Sequence, residues 1–522
     1  MMRTEKAIKN ALFGMGSYFV LMLSNFITRA VMTRLLGNEF VGLEGLLKNI
    51  ISMLALAELG LGTGLVYKLY RPIADGDKKQ IKHILNFYKK AYQIIALVIL
   101  AAGLLLSFIV HIFVKEKQYT PVYIGIAFML FLLDVLASYW YANRKALLLA
   151  DQKNYVINQN DVFIQLSTMV VQVLLLFLLQ GLGKYVSFLI YAVVRILCRM
   201  AGALMIAVRF RRLYPDIAAD PDQTTISEEE RKPLMKNIRA MLCHKIGAFS
   251  VLSSASIIIT NFVGLAVNGM YTNYMLVVNT ISQLILQIFN GITASFGSLL
   301  STGSSEKAYE KFNLLYFMNY FIYCFCTTSL FVLMQPFVGL VFGKDTLLGT
   351  DTLVLFCCYF YVFGIRRVIL MSKDSAGLFR PDRYMALLEA ALNIVMALVF
   401  VQFWGINGVL LASILSQLII PLWTQPYLVY KNILKHSLKP YYLKYLLYAG
   451  LTAFSAGFTY WVASLLPFEN VFLVLIFRAV LCLIIPNGLN LLVFWKTEEL
   501  QSFKTLGVAI LKKLTGKARK TK

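Results

Sequence analysis

The sequence predicts an all-α polytopic membrane protein with about fourteen transmembrane helices, and three observations predict it. First, 59% of the residues are hydrophobic and only 15% are charged, with a mean hydropathy of +0.69. A water-soluble fold has no interior large enough to hide that much apolar surface. Second, the apolar residues come in runs of roughly 20, the length that crosses a bilayer core as a helix. Third, 50 Lys and Arg outnumber 26 Asp and Glu, yet the basic residues gather in alternate loops. That is the pattern of membrane topology, and it argues against a nucleic-acid partner.

Polar breaks place the first six spans near residues 11–36, 41–67, 91–114, 121–143, 155–180 and 184–208. The connector RRLYPDIAADPDQTTISEEERKPLMKN follows and reads as a linker between two halves. Eight more spans fall near 239–267, 271–301, 313–342, 351–371, 384–403, 407–430, 441–466 and 470–495. The organisation expected is a six-helix lobe at 1–210, a cytoplasmic linker at 211–238, a second six-helix lobe at 239–432, two additional transmembrane helices at 433–500 and a basic tail at 501–522. The first apolar run continues past the length of a secretory h-region and ends in Arg29 and Arg34 without a small-residue cleavage site, so the basic leader Met1–Asn10 is expected to be retained.

Orientation follows from the loops. KLYRPIADGDKKQIKHILNFYKK, ANRKALLLADQKN, IRRVILMSKDSAGLFRPDR and VYKNILKHSLKP alternate with the poorly basic turns GNEF, QGLG, VNGM and LPFEN. Both termini are therefore expected on the cytoplasmic side. The tail, with Lys504, Lys512, Lys513, Lys517, Arg519, Lys520 and Lys522, agrees with that side and would also rest on anionic lipid. The seven cysteines sit inside apolar segments without zinc spacing or a disulfide framework, so they read as small hydrophobes. A shift of 230 residues sets Ser24, Asn38, Asn49 and Ser52 against Ser254, Asn268, Asn279 and Ser282, aligning spans 1 and 2 with spans 7 and 8. Two pseudo-repeated lobes of like orientation are the simplest reading.

Charges inside spans cost about 2.5–3.5 kcal/mol each on insertion scales, so they face a bundle interior or a watery cavity. Arg29 and Arg34 lie toward the outer end of the first span. Glu44 and Lys48, spaced i, i+4 on the second, share one helix face. Arg29 and Lys48 lie deeper and read as cavity-facing, whereas Arg34 and Glu44 are equally well explained as an interfacial pair. Arg195 and Arg199 on the sixth span are two cations on one face without an i, i+4 acid. They require either an anionic ligand or acids from other helices, for which Asp134 and Asp161 are the candidates. In the second half His244, Lys245, Arg366, Arg367, Glu389 and Arg478 are intramembrane, and Arg478 lies too deep for easy snorkelling. The eighth span is the most polar, with Asn273, Asn279, Gln283, Gln287 and Asn290 among its amides. Asn279, Gln283, Gln287 and Asn290 suit a cavity that accepts a sugar.

The glycines of AELGLGTGLVYKLYRP resemble a phosphate-cradling loop, but they continue an apolar helix that begins near Val41 rather than follow a strand. Gly60 and Gly64 form a small-residue face for helix contact. Glu58, beside them, is a candidate gate or cation site, as are Asp134 and Asp161 if transport is coupled to a proton or sodium gradient; no cofactor or metal is called for. The sequence has no Walker A, HExxH, GxSxG or CxxC pattern and no large extramembrane domain, which excludes an ATP-driven pump and a soluble-domain glycosyltransferase.

Residues 24–92, running from NFITRAVMTRLLGNEFVGLEGLLKN through AELGLGTGLVYKLYRPIADGD, resemble the N-terminal signature of Wzx-type polysaccharide flippases of the MOP exporter superfamily. The resemblance implies a MATE-like pair of six-helix lobes about a central cavity open alternately to each side, in the bacterial cytoplasmic membrane. It implies that the substrate is an undecaprenyl-pyrophosphate-linked oligosaccharide, moved between leaflets for capsule or a related polymer, with a polymerase and glycosyltransferases as partners. It also implies that Arg29, Arg34 and Lys48 contact the substrate, and it places Arg478 in or beside a lipid-tail groove on the two additional helices. The competing readings are a cation-coupled multidrug exporter of the same fold, for which acidic rather than cationic lining is expected, and a membrane-embedded glycosyltransferase or polymerase, for which larger outward loops are expected.

Overall fold

The computed structural model describes residues 2–55, 61–218, 254–302, 305–376, 378, 384–465 and 470–505. Among them there is no strand. The chain forms two compact units, residues 1–272 and 273–522. In the first unit the helices are α1 (Met2–Leu36), α2 (Asn38–Leu54), α3 (Leu61–Asp75), α4 (Lys78–Ser107), α5 (Pro121–Tyr139), α6 (Ala142–Ala150), α7 (Asn154–Leu178) and α8 (Lys184–Leu213). Residues 254–262 are also helical and precede α9 (Leu265–Thr302), within which the division between units falls. The second unit continues with α10 (Ser305–Val341), α11 (Thr350–Ile365), α12 (Arg367–Ser375), α13 (Met385–Ile419), α14 (Pro421–Val429), α15 (Lys439–Ser464) and α16 (Val471–Phe494).

Among the described residues ten stretches are long and apolar enough to cross a membrane. The expected fourteen follow once four more are recognised. The stretch Met385–Leu434 holds two spans, because Gly405 at φ +52 breaks the helical path inside α13. The second span of the sequence contains α2 and α3, and residues 56–60 between them, Glu58 included, lie outside the described residues. α9, 38 residues without Asp, Glu, Lys or Arg, falls on the eighth expected span, and residues 254–262 are helical within the expected bounds of the seventh.

Local signals set several boundaries. Asp77 accepts from Gln80 N at 2.9 Å and starts α4, and Thr120 accepts from Tyr123 N at 3.2 Å ahead of Pro121, which starts α5. Asn470 accepts from Phe472 N at 2.9 Å and starts α16. The outward faces carry large apolar side chains, such as Leu178 (77% exposed) and Phe108 (70%), as expected where the surroundings are hydrocarbon.

Within the first unit α2 crosses the first two turns of α9 at backbone contact. A Cβ built on Gly42 would sit 1.9 Å from the Leu265 carbonyl oxygen, and one on Gly269 would sit 1.9 Å from that of Asn38. The approach lets Asn268 Nδ2 donate to the Gly42 carbonyl at 2.8 Å, while Ser256 Oγ donates to Asn268 Oδ1 at 2.8 Å. Glu116, from the α4–α5 connection, accepts from Leu265 N at 2.6 Å and so caps α9 from a distance. Because the obstructing atoms are backbone, Gly269→Ala is expected to destabilise this crossing by about 1–3 kcal/mol or more. A lowered melting temperature in detergent checks this; Gly450→Ala, where an added Cβ meets nothing within 4 Å, is the control.

In the second unit α15 buries a stripe made of hydroxyl-bearing residues, Tyr441, Tyr445, Tyr448, Thr452, Ser455 and Thr459. It meets Tyr316 and Tyr320 of α10, with Tyr448 stacked on Tyr320 at 3.9 Å and Tyr441 beside Tyr316 at 5.2 Å between ring centroids. The Tyr320 hydroxyl donates to Asn490 Oδ1 on α16, so α10, α15 and α16 share one polar seam.

Candidate functional site

Four helices of the first unit bring charge together. On α8, Tyr191, Arg195 and Arg199 are spaced i, i+4, i+8 and therefore stack on one face. Opposite them α2 presents Glu44 and Lys48 in the same spacing, α1 supplies Arg29 and α5 supplies Phe131 and Asp134. Glu44 is the hub. Its carboxylate lies 3.2 Å from Arg29, 2.5 Å from Lys48 and 3.6 Å from Arg195, and it accepts from the Tyr191 hydroxyl at 3.3 Å. Asp134 is the second hub, 3.0 Å from Arg195 and 2.5 Å from Arg199. The buried ring of Phe131 lies beneath two of these cations, 5.9 Å from Lys48 Nζ and 6.0 Å from the Arg195 guanidinium carbon.

Exposure is divided by sign. The side chains of Glu44 and Asp134 are 1% and 4% exposed, whereas those of Arg29, Lys48, Arg195 and Arg199 are 16%, 37%, 22% and 31% exposed. The acids lie beneath and the cations present their outer edges to open space. Four cations on two acids leave an excess of two positive charges. At 1.5 Å per residue the cluster runs from ~10 to ~20 Å below the helix ends that carry the poorly basic turns.

The structure thus joins Arg29, Lys48, Arg195, Arg199 and Asp134 in one network, and adds Tyr191 and Phe131, for which residue type alone gave no signal. Arg34 lies exposed in the last turn of α1. Asp161 is not a partner of the arginines; it pairs with Lys145 of α6 at 2.7 Å.

In the second unit Asn279, Gln283 and Gln287 are exposed and, four residues apart, form a stripe on α9. None of the three bonds to a described residue. The side chain of Asn290, one turn on, lies outside those described. Glu389 on α13 is buried, accepts from Gln417 and lies 3.8 Å from Arg366, which in turn donates to Gln425 at 3.0 Å. Arg478 on α16 donates from Nη1 to the Val332 carbonyl of α10 at 3.2 Å. Its Nε is buried without a partner. Among the described residues no three His, Cys, Asp or Glu side chains gather as metal ligands would.

No protein-family model and no curated protein sequence matches the chain. Solved structures do. An inward-facing multidrug resistance MATE family transporter of the MOP superfamily superposes with a TM-score of 0.61 at 16% identity, covering 81% of this chain and 99% of its own. The lipid II flippase MurJ in an inward closed conformation gives 0.62 at 14% identity, covering 93% of this chain and 99% of its own. The MATE multidrug transporter DinF-BH gives 0.55 at 15% identity, covering 82% and 95%.

The chain shares its fold with the MATE transporters and the lipid II flippase MurJ. Within that fold the charged network belongs to the first unit, and the amide stripe and Arg478 to the second.

Proposed function

We propose that the protein is a flippase that moves an undecaprenyl-pyrophosphate-linked oligosaccharide across the cytoplasmic membrane by alternating access, without covalent chemistry. The observation that carries this reading is the sign-divided network: buried Glu44 and Asp134 hold four cations whose outer edges remain open, with two positive charges to spare. A diphosphate cannot cross hydrocarbon unaided, and guanidinium and ammonium donors replace its hydration with charge-assisted hydrogen bonds. The stripe of Asn279, Gln283 and Gln287 supplies uncharged donors and acceptors suited to sugar hydroxyls. The lipid tail stays in the bilayer.

Two further points support a lipid-linked substrate over a cationic drug. An excess of positive charge repels a cation. The lipid II flippase also covers 93% of this chain against 81% for the multidrug transporter, a difference close to the length of the α15–α16 hairpin. The basic loops place both termini in the cytoplasm under this reading. Of the acids considered for ion coupling, Asp134 and Asp161 are engaged by Arg195, Arg199 and Lys145. The oligosaccharide would come from glycosyltransferases and pass to a polymerase.

The test is reconstitution into vesicles carrying the diphosphate-linked oligosaccharide, with lectin accessibility as readout, beside a parallel load of a cationic dye. The expected result is time-dependent appearance of the oligosaccharide on the opposite leaflet and no dye movement. Dye export with a static oligosaccharide would establish the multidrug reading instead.

A further inference from the structure

α9 runs for 38 residues without an Asp, Glu, Lys or Arg, yet it is rich in amide and hydroxyl side chains. Near its start Asn268 shows what a structural amide does: it is buried, donates to the Gly42 carbonyl and accepts from Ser256. The hydroxyls further along bond back to their own helix, Thr280 to the Leu276 carbonyl at 2.6 Å and Ser282 to that of Val278 at 2.8 Å. Asn279, Gln283 and Gln287 do neither. They are exposed, and none bonds to a described residue.

An amide without a partner is costly against acyl chains, so these three face water or a polar ligand. At four-residue spacing they rise ~6 Å per step and span ~12 Å, each step comparable with one ring of an extended glycan. Every amide both donates and accepts, so it bonds a hydroxyl whichever way that hydroxyl points. The exposed side chains beside them, Leu284 and Ile288, are aliphatic and offer surface to the C–H face of a sugar ring. Strong rejection of a wrong sugar needs fixed, buried groups that the wrong sugar leaves unpaired. Long side chains at an exposed surface lack that property, and water satisfies whatever a sugar does not.

We propose that Asn279, Gln283 and Gln287 form a ladder that responds to the number of neutral sugars on the lipid-linked substrate and not to their identity. The inference rests on the flippase reading and adds its selectivity. Each successive neutral hexose gains one rung, and epimers at a rung are treated alike. A negatively charged sugar finds no cation on α9 and leaves the diphosphate as the only anion that the protein pairs.

The full-length protein in detergent, titrated with undecaprenyl pyrophosphate bearing no, one, two or three neutral hexoses, tests the ladder. Affinity is compared with that for the sugar-free lipid within each protein, so that a general loss of binding cancels. In wild type each added sugar is expected to raise affinity about 2- to 10-fold, the net worth of a hydrogen bond. Exchange of glucose for galactose is expected to change it by less than about twofold, since no buried group is left unpaired. Gln283→Leu and Gln287→Leu are each expected to flatten the rise by one sugar, and Gln283→Asn to keep part of it. A wild-type protein that binds the sugar-free and three-sugar lipids equally, leucine variants with the full rise, or a tenfold or greater preference between epimers would overturn the ladder and leave the flippase reading standing. The wild-type series decides by itself if a variant does not fold. A wild-type protein that binds none of these lipids would remove the flippase reading, and the ladder with it.

Discussion

Glu44→Ala is expected to destabilise the protein by about 3–5 kcal/mol, more than removal of any one of the cations around it. The carboxylate is 1% exposed and contacts Arg29, Lys48 and Arg195 at 3.2, 2.5 and 3.6 Å. Without it Arg195 retains Asp134, but the ion pairs of Arg29 and Lys48 are lost, and their charges repel across a low-dielectric gap. Removing a cation is milder, because Glu44 keeps two others and the vacated position borders open space. The check is thermal melting in detergent: Glu44→Ala well below Arg29→Ala, and Glu44→Gln between Glu44→Ala and wild type. A Glu44→Ala protein that melts with wild type would show that the buried acid does not anchor the network.

Arg29→Ala and Lys48→Ala are expected to insert, fold and fail to transport. On the function proposed above, each removes a charge-assisted hydrogen bond to the diphosphate, about 1.5–3 kcal/mol or ~10- to 150-fold in affinity. Each also lowers the net charge that would replace phosphate hydration. Vesicle reconstitution reads the loss, and protein yield and melting confirm that the variants are intact. Transport at the wild-type rate by both would remove these residues from the site.

The legibility of the molecule follows the range of the forces involved. Spans are set by hydropathy over about 20 residues, which a single chain displays, so the described helices fall where the sequence puts its spans, with α2 and α3 both lying within the second. Spacing along one helix is equally visible, and it made Glu44–Lys48 and Arg195–Arg199 recognisable as shared faces. Arg195 and Arg199 without a local acid call for an anionic ligand or for acids from other helices. Which acid answers is a matter of tertiary approach, and Asp134 and Asp161 are indistinguishable in sequence. Only the packing of α5 on α8 separates Asp134 from Asp161, which faces Lys145. Glu44 was underestimated for the same reason: an i, i+4 pair looks interfacial until Arg29 and Arg195 are seen to converge on it. The bond from Arg478 to the Val332 carbonyl, which Pro336 of α10 leaves without its helical donor, joins two different helices, and nothing in the linear order couples them.

The polar seam of α15 has a consequence for biogenesis. Its span has the lowest mean hydropathy of the ten, 1.2, while that of α16 has the highest, 2.3. A helix carrying Tyr441, Tyr445, Tyr448, Thr452, Ser455 and Thr459 on one face partitions less well into lipid alone than α16 does, and Tyr441 and Tyr448 gain their ring contacts only when α10 brings Tyr316 and Tyr320. α15 emerges before α16 during synthesis, so it is expected to be held at the membrane until the more oily α16 follows and α10 is within reach. The last two spans therefore enter the bilayer as a hairpin whose release is tied to assembly, and a chain truncated after Ser464 would leave α15 stranded at the channel.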